Sequence, residues 1–219
     1  MRFVPNTAKS LSPALPGQAM LPNGWPKDIT YLRAPKHSSK VQKAQLEALR
    51  SALESLPKEV VFSLPLEPSP LVSIQSIHDQ KHPAFRQHGL FAGRDLPPDS
   101  FIVGYLGLVH SNDAEDTDAN SNYDLALDRE AGVSVDATAM GTEARFINDY
   151  RGVRDKGPNA EFRDVWLDAG DGVAEKAIGV FVVSAGKAGK RQDGIRKKEE
   201  IVVSYGKGFW QDRATDDAA

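Results

Sequence analysis

The sequence predicts a mainly β domain of the α+β class, and three observations carry that prediction. From Leu71 onward the chain is filled by short alternating or apolar runs separated by turn residues. Helical periodicity is confined to the stretch before residue 57, and no regular strand–helix alternation of a doubly wound sheet follows it. The chain has 219 residues and no cysteine, so it can bury a core without help, and disulfides and thiolate zinc sites are excluded.

Taken in order, residues 1–36 hold six prolines, at 5, 13, 16, 22, 26 and 35, with little periodicity. This reads as an extended arm that wraps the domain or is mobile. In the segment 37–69, Leu46, Leu49, Leu53 and Leu56 recur at helical spacing between Ser39 and Leu56. Ser38 or Ser39 can cap such a helix and Pro57 stops it, which predicts an amphipathic helix packed on the main domain and a linker after it. The main domain is expected over 70–213, with 214–219 as a tail. Its strands are expected at Val72 to Ile77, at Phe101 to Val109 with interruptions at Gly104 and Gly107, and at Tyr123 to Leu127 and Val133 to Val135 around a polar turn. Later, Ile178, Val180 and Val182 alternate as in a strand, as do Ile201 and Val203. Asp168 to Gly172 reads as a turn that lacks the spaced oxygens and closing Glu of a calcium loop.

Charge narrows the function classes. With 27 basic and 30 acidic residues the net charge is −3, so no global field points to nucleic acid. Apolar runs are far shorter than a membrane span and the first 20 residues do not read as a secretory signal, so an intracellular protein without a membrane partner is expected. His78 and His82 are four residues apart but have no third ligand in view, and no metal is expected.

Four fragments carry the chemistry. The first is Gln87-His88-Gly89-Leu90-Phe91-Ala92 followed by Arg94-Asp95-Leu96, and the second is Gly104-Tyr105-Leu106-Gly107. The third joins Val135-Asp136-Ala137, Gly141 and Ala144-Arg145-Phe146-Ile147-Asn148, with Pro158-Asn159 downstream. The fourth is Glu199-Glu200-Ile201-Val202-Val203-Ser204-Tyr205-Gly206, with Phe209-Trp210 behind it. In this order and spacing they resemble the SET domain of protein lysine methyltransferases, over about residues 70 to 213. The resemblance implies a fold of small sheets in which the C-terminal segment threads under an earlier loop, a knot-like core that brings the third and fourth fragments to one site.

It also implies S-adenosylmethionine as cofactor and a protein lysine as methyl acceptor. Tyr205 matches the tyrosine that orients the amine, and Tyr123 is expected to line the lysine channel as its second aromatic. Gln87, His88, Gly89 and Leu90 are expected to form the cofactor loop. Arg145, Phe146, Asn148 and Asp149 are expected beside the methionine portion, with Tyr205 near them, and Trp210 (or Phe209) is expected to stack on adenine. Val203 stands at the position linked to methyl number. Asp113, Glu115, Asp116 and Asp118 lie in an acidic insert beside the family's peptide groove, which suits a basic tail such as a histone's. Lys187 to Lys198 could touch nucleosomal DNA or serve as a nuclear address, so a nuclear location is favoured, with the cytoplasm as alternative.

Three departures stand out. The usual His-Ser-Cys after the asparagine is Asp149-Tyr150-Arg151, the first cofactor glycine is Gln87, and zinc-binding flanking modules cannot form without cysteine. Two alternatives therefore stay open: a SET-fold binding module with weak or no turnover, and a methyltransferase acting on a non-histone lysine.

Overall fold

The computed structural model describes residues 20–63, 67–184 and 194–206. Its N-terminal part forms β1 (Thr30–Tyr31), β2 (Lys36–His37), helix α1 (Lys43–Ala48), β3 (Arg50–Ala52) and β4 (Val61–Phe62). The central part forms β5 (Val72–Ser76), β6 (His88–Ala92), β7 (Phe101–Tyr105), β8 (Leu108–Ser111), β9 (Asp124–Asp128), β10 (Val133–Asp136), β11 (Met140–Gly141) and β12 (Asn148–Asp149). A long hairpin, β13 (Ala160–Gly170) and β14 (Val173–Val182), and the short β15 (Val202–Val203) complete it.

The strands make small sheets, as expected of the fold. One runs β2-β8-β10-β9, another β3-β14-β13-β4 with β7 also on β14, and β1-β11, β12-β15 and β5-β6 form pairs. Gly107 makes the β7–β8 corner possible, because a side chain there would run into the Asp136 backbone. The hairpin turn uses left-handed backbone at Gly170, Asp171 and Gly172, which accounts for the Asp-Ala-Gly-Asp-Gly run. Most apolar side chains meet in one core that includes Leu90, Ile102, Tyr105, Phe146, Val180, Ile201 and Val203.

The expected helix from Ser39 to Leu56 is corrected. Only Lys43–Ala48 is α-helical, entered through a reciprocal bond pair between Gln42 and Gln45 rather than a serine cap, and Leu53–Ser55 forms a single 3-10 turn. Leu49 then plunges fully into the core, and Arg50–Ala52 pair with Val173 to Glu175 on the edge of β14. Propensity is a weak prior, and the ladder hydrogen bonds of that open edge outweigh the remaining helical turns. Buried Glu175 fastens the change of direction by accepting from Arg50 Nε at 3.4 Å and meeting His37 Nε2 at 2.6 Å.

From residue 20 the proline-rich arm wraps the domain. β1 pairs in parallel with β11, and Tyr31 donates its hydroxyl to buried Glu143 at 3.1 Å. Trp25 is buried edge-on against Phe146, at a ring separation of 5.6 Å, with its indole N–H donated to the Ile29 carbonyl at 2.7 Å.

The C-terminal segment passes between two earlier ones. On one side the Ile201 N–H donates to the Leu90 carbonyl at 2.8 Å. On the other, β15 pairs in parallel with β12, and Asn159 clamps the strand by accepting from the Val202 N–H at 2.9 Å and donating to the Glu200 carbonyl at 2.8 Å. This threading puts Tyr205 beside Asn148.

Candidate active site

A cleft of about 600 Å³ opens where the arm, the first loop and the threaded segment meet. Gln87, His88, Tyr123, Arg145, Phe146, Asn148, Asp149 and Tyr205 line it, so residues expected at one site from distant fragments do converge. Pro26, Asp28 and Ile29 of the arm, and His82 and Arg86 ahead of β6, complete the wall. A second cavity of about 720 Å³ lies away from these residues, among Leu53, Leu56, Lys58, Val61 and Gly172. It carries none of the chemistry-bearing side chains and is not the candidate site.

Tyr205 is half-buried and donates its hydroxyl to the Ile147 carbonyl at 2.7 Å. The hydroxyl proton is therefore committed to the backbone, and the phenolic oxygen keeps lone pairs to accept with. Tyr105 repeats the pattern, donating to the Tyr123 carbonyl at 2.7 Å. Burial, followed by the fields of Tyr205 and Asp136, pushes the Tyr105 phenol well above its ordinary value, so it stays protonated near neutrality. The Tyr105 ring meets Phe162 edge-on at 5.7 Å. Arg145 braces the neighbouring turn, donating Nε to the Ala137 carbonyl at 2.9 Å, and its guanidinium lies over the rings of Tyr123 and Phe146 at 4.5 and 4.9 Å.

Asp149, the residue standing where the resemblance expects histidine, has a defined structural task. Its Oδ2 accepts the Tyr205 backbone N–H at 2.8 Å and Arg151 Nη1 at 2.9 Å, and its Oδ1 accepts the Arg151 N–H at 2.9 Å. The carboxylate is thus balanced by the guanidinium two residues on and ties the third fragment to the fourth. On the other side, a Cβ at Gly89 would lie 2.7 Å from Glu200 Oε1 and 3.2 Å from Asn148 Nδ2, so glycine lets the loop close over this pair.

Other expected site residues lie elsewhere. Leu90 and Val203 are fully buried in the core rather than on the cleft wall. Asp113 accepts from the Ser111 hydroxyl at 2.8 Å, and Asp116 accepts from the Ser38 hydroxyl at 2.6 Å and the Ser111 N–H at 2.9 Å. Asp118 accepts the Asn120 N–H at 3.0 Å, Glu115 offers its carbonyl to Lys40, and none of the four lines the cleft. Trp210 and Phe209 lie outside the described residues, as do Lys187, Lys190 and Arg191 of the basic segment, whereas Arg196, Lys197 and Lys198 are exposed. Sequence reasoning missed Arg86 and the arm residues on the cleft wall, and Tyr105, which bonds the Tyr123 carbonyl from off that wall. Tyr105 ends a strand inside the second fragment and carried a signal; Pro26, Asp28 and Ile29 carried none, because only the fold brings them here.

The SET domain family model matches residues 87–206, more than half of the chain, and the chain belongs to the SET-domain family. Among solved structures, the crystal structure of the Chaetomium thermophilum polycomb repressive complex 2 is similar at 23% identity, over 63% of this chain and 15% of that one, with a TM-score of 0.46. A structure of ctPRC2 in an autoinhibited conformation bound to S-adenosylmethionine is similar at 20% identity, over 70% of this chain and 17% of that one, with a TM-score of 0.46. The chain spans less than a fifth of the length of these matched chains. No curated protein sequence matches it. Among the described residues no group of three or more potential ligands could hold a metal ion, and no helix is long and apolar enough to cross a membrane.

Proposed function

We propose that the protein transfers a methyl group from S-adenosylmethionine to a lysine side chain of a protein substrate, with a basic tail such as a histone's as the first class to test. The observation that carries this reading is the convergence of Tyr205, Tyr123, Asn148, Arg145 and Arg86 on one cleft of about 600 Å³, a size suited to a small-molecule site.

The residues present fit the cofactor's amino-acid end. Asn148 has both amide protons taken by protein acceptors and offers Oδ1 to an ammonium. Arg86 lies exposed on the rim with no carboxylate partner among the described residues, its guanidinium stacked on Phe85 at 5.1 Å, and would meet the carboxylate. The phenyl ring of Phe146 and the imidazole of His88 give the wall an aromatic surface. When bound, the cofactor supplies an electrophilic methyl on a cationic sulfonium.

The chain's own residues supply alignment and desolvation. A lysine side chain with a reference pKa of about 10.4 must be presented uncharged, at a cost of about 4.6 kcal/mol at neutral pH. An apolar, aromatic approach lowers that cost by disfavouring the ammonium. Tyr205, with its hydroxyl proton anchored on the Ile147 carbonyl, turns oxygen lone pairs toward the amine and holds it in line, while Tyr105, buried off the cleft wall, bonds the Tyr123 carbonyl and fixes that part of the approach. Neither phenol serves as a phenolate base in this scheme; the lysine gives its proton to solvent before transfer.

The test is calorimetric titration with S-adenosylmethionine and with its demethylated product, followed by a labelled-methyl assay on histones and lysine peptide arrays. Micromolar binding and label on lysine support the enzyme. Binding without transfer to any substrate supports the non-catalytic alternative, and no binding to folded protein rejects the cofactor assignment.

A further inference from the structure

Three side chains form a polar chain beside the cleft, one of them from outside the matched residues 87–206. His82 stands in the loop between β5 and β6, Glu200 precedes β15, and Asn148 opens β12. The Ala84 N–H donates to His82 Nδ1 at 3.0 Å, so that nitrogen offers a lone pair and the ring proton sits on Nε2. Nε2 in turn lies 3.0 Å from Glu200 Oε2. The other carboxylate oxygen, Oε1, accepts from Asn148 Nδ2 at 2.9 Å, and the His88 carbonyl accepts from the same nitrogen at 3.2 Å.

The side chains of His82 and Glu200 are only 10% and 11% exposed, so neither is a floppy surface group. A carboxylate with one oxygen held by an imidazole N–H can present only the other to Asn148. The Asn148 amide then has a single satisfied orientation, nitrogen toward the protein and oxygen available to the cleft it lines. The reverse orientation would set the amide oxygen against the Glu200 carboxylate and the His88 carbonyl, three acceptors with no proton between them.

We propose that Glu200 is a positioning residue that orients the Asn148 amide so that its oxygen accepts from a ligand's primary ammonium, and that His82 holds Glu200 in place for that task. The identity of the ligand rests on the cofactor reading above; the orientation of Asn148 does not.

Two measurements on the full chain test this. In the absence of ligand, the Asn148 side-chain amide is identified by NMR through its disappearance in Asn148→Ala. Glu200→Ala should shift that signal and speed its exchange with water, and His82→Leu should shift it too, but not further once Glu200 is alanine. An Asn148 amide unmoved by Glu200→Ala overturns the proposal, and if that variant does not fold, a signal unmoved by His82→Leu does so. With S-adenosylmethionine, Asn148→Ala and Glu200→Ala should each weaken affinity by about tenfold, and the double variant no more than Asn148→Ala alone. Additive losses would show that Glu200 acts independently of Asn148 and would reject it as a positioning residue. A wild-type protein that binds no S-adenosylmethionine yet shows the coupled amide shifts rejects the cofactor reading and leaves the positioning chain standing.

Discussion

The backbone N–H of Tyr205 donates to Asp149 Oδ2 at 2.8 Å, although the two residues are 56 apart in sequence. A carboxylate at this position holds the catalytic candidate's main chain, with Arg151 balancing its charge. Asp149→Ala should therefore destabilise the fold by roughly 1–3 kcal/mol, since it removes the acceptor of the part-buried Tyr205 N–H and the carboxylate that faces the Arg151 guanidinium. Asp149→Asn, which keeps an oxygen for the N–H, should cost less than half as much. Denaturant midpoints of the two variants check this, and equal losses would assign the effect to charge instead of the Tyr205 bond.

Tyr205→Phe removes the hydroxyl that bonds the Ile147 carbonyl while leaving the half-buried ring packed against the core. Cofactor affinity should stay within about twofold of wild type and turnover should fall by about a hundredfold or more, the scale of losing one oriented polar group from a desolvated site. Single-turnover rates with saturating cofactor provide the measurement. Unchanged turnover would remove Tyr205 from the mechanism.

Arg86→Ala should weaken S-adenosylmethionine by about tenfold. It should leave 5′-methylthioadenosine, which lacks the amino-acid portion, unaffected. Equal effects on both ligands in calorimetry would mean that Arg86 does not meet the carboxylate.

The acidic insert divides by its bonding. Burial works against the Asp116 carboxylate, but the Ser38 hydroxyl and the Ser111 N–H hold it below its ordinary value. Its contribution to stability is therefore present above the unfolded value of 3.8 and is lost as pH falls through the lower folded value. Asp116→Asn should lower the melting temperature without acting on a substrate. Glu115→Gln with Asp118→Asn is the cleaner test of steering: if the insert guides a basic peptide, KM should rise several-fold at low salt and the effect should vanish at high salt.

Buried His110 sets a further pH dependence. It donates Nδ1–H to the Ser111 carbonyl at 2.9 Å and faces Asp124 Oδ1 across 3.2 Å, with Asp116 also nearby. Burial pulls the imidazole down, but the Ser111 carbonyl and the Asp124 and Asp116 carboxylates more than offset it, so its folded value is raised above 6.5. Burial also raises the Asp124 carboxyl, against the hydrogen bond and charge of His110 and with Asp136 adding to the rise. Both groups bind a proton more readily in the folded state, so the pair's stabilisation is present at low pH and is lost as pH rises through the folded values. The melting temperature of wild type relative to His110→Gln should be higher at about pH 6 than at about pH 9. A constant difference would exclude the pair as the source.

Much of this site was legible in the sequence, since Asn148, Arg145, Phe146, Tyr123 and Tyr205 were singled out and line one cleft. Local patterns also located seven of the eleven strands after residue 70, because alternation reports which face is buried, but none of the four short strands before it. The leucine spacing misled beyond Ala48, where an open sheet edge claimed the backbone of Arg50–Ala52. The long β13 strand escaped notice because its charged residues, Glu161, Arg163, Asp164 and Asp168, interrupt any clean apolar alternation. Asp149 looked like an intruder until its partner Arg151 and the Tyr205 N–H were seen together, a relationship that no spacing rule encodes.

The threading also has a consequence for how the protein is made. Residues 148 and 149 pair with a strand that leaves the ribosome only after residues 202 and 203 have been joined, and Phe146 already packs on Trp25 from the start of the described chain. During synthesis the earlier strands can find partners in order, but Asn148 has neither Glu200 nor Tyr205 beside it until residues 200–205 have been added. The cleft therefore closes only after residues 200–205 have been added, and a chain stalled before Tyr205 would carry the cleft's other walls without the segment that completes them.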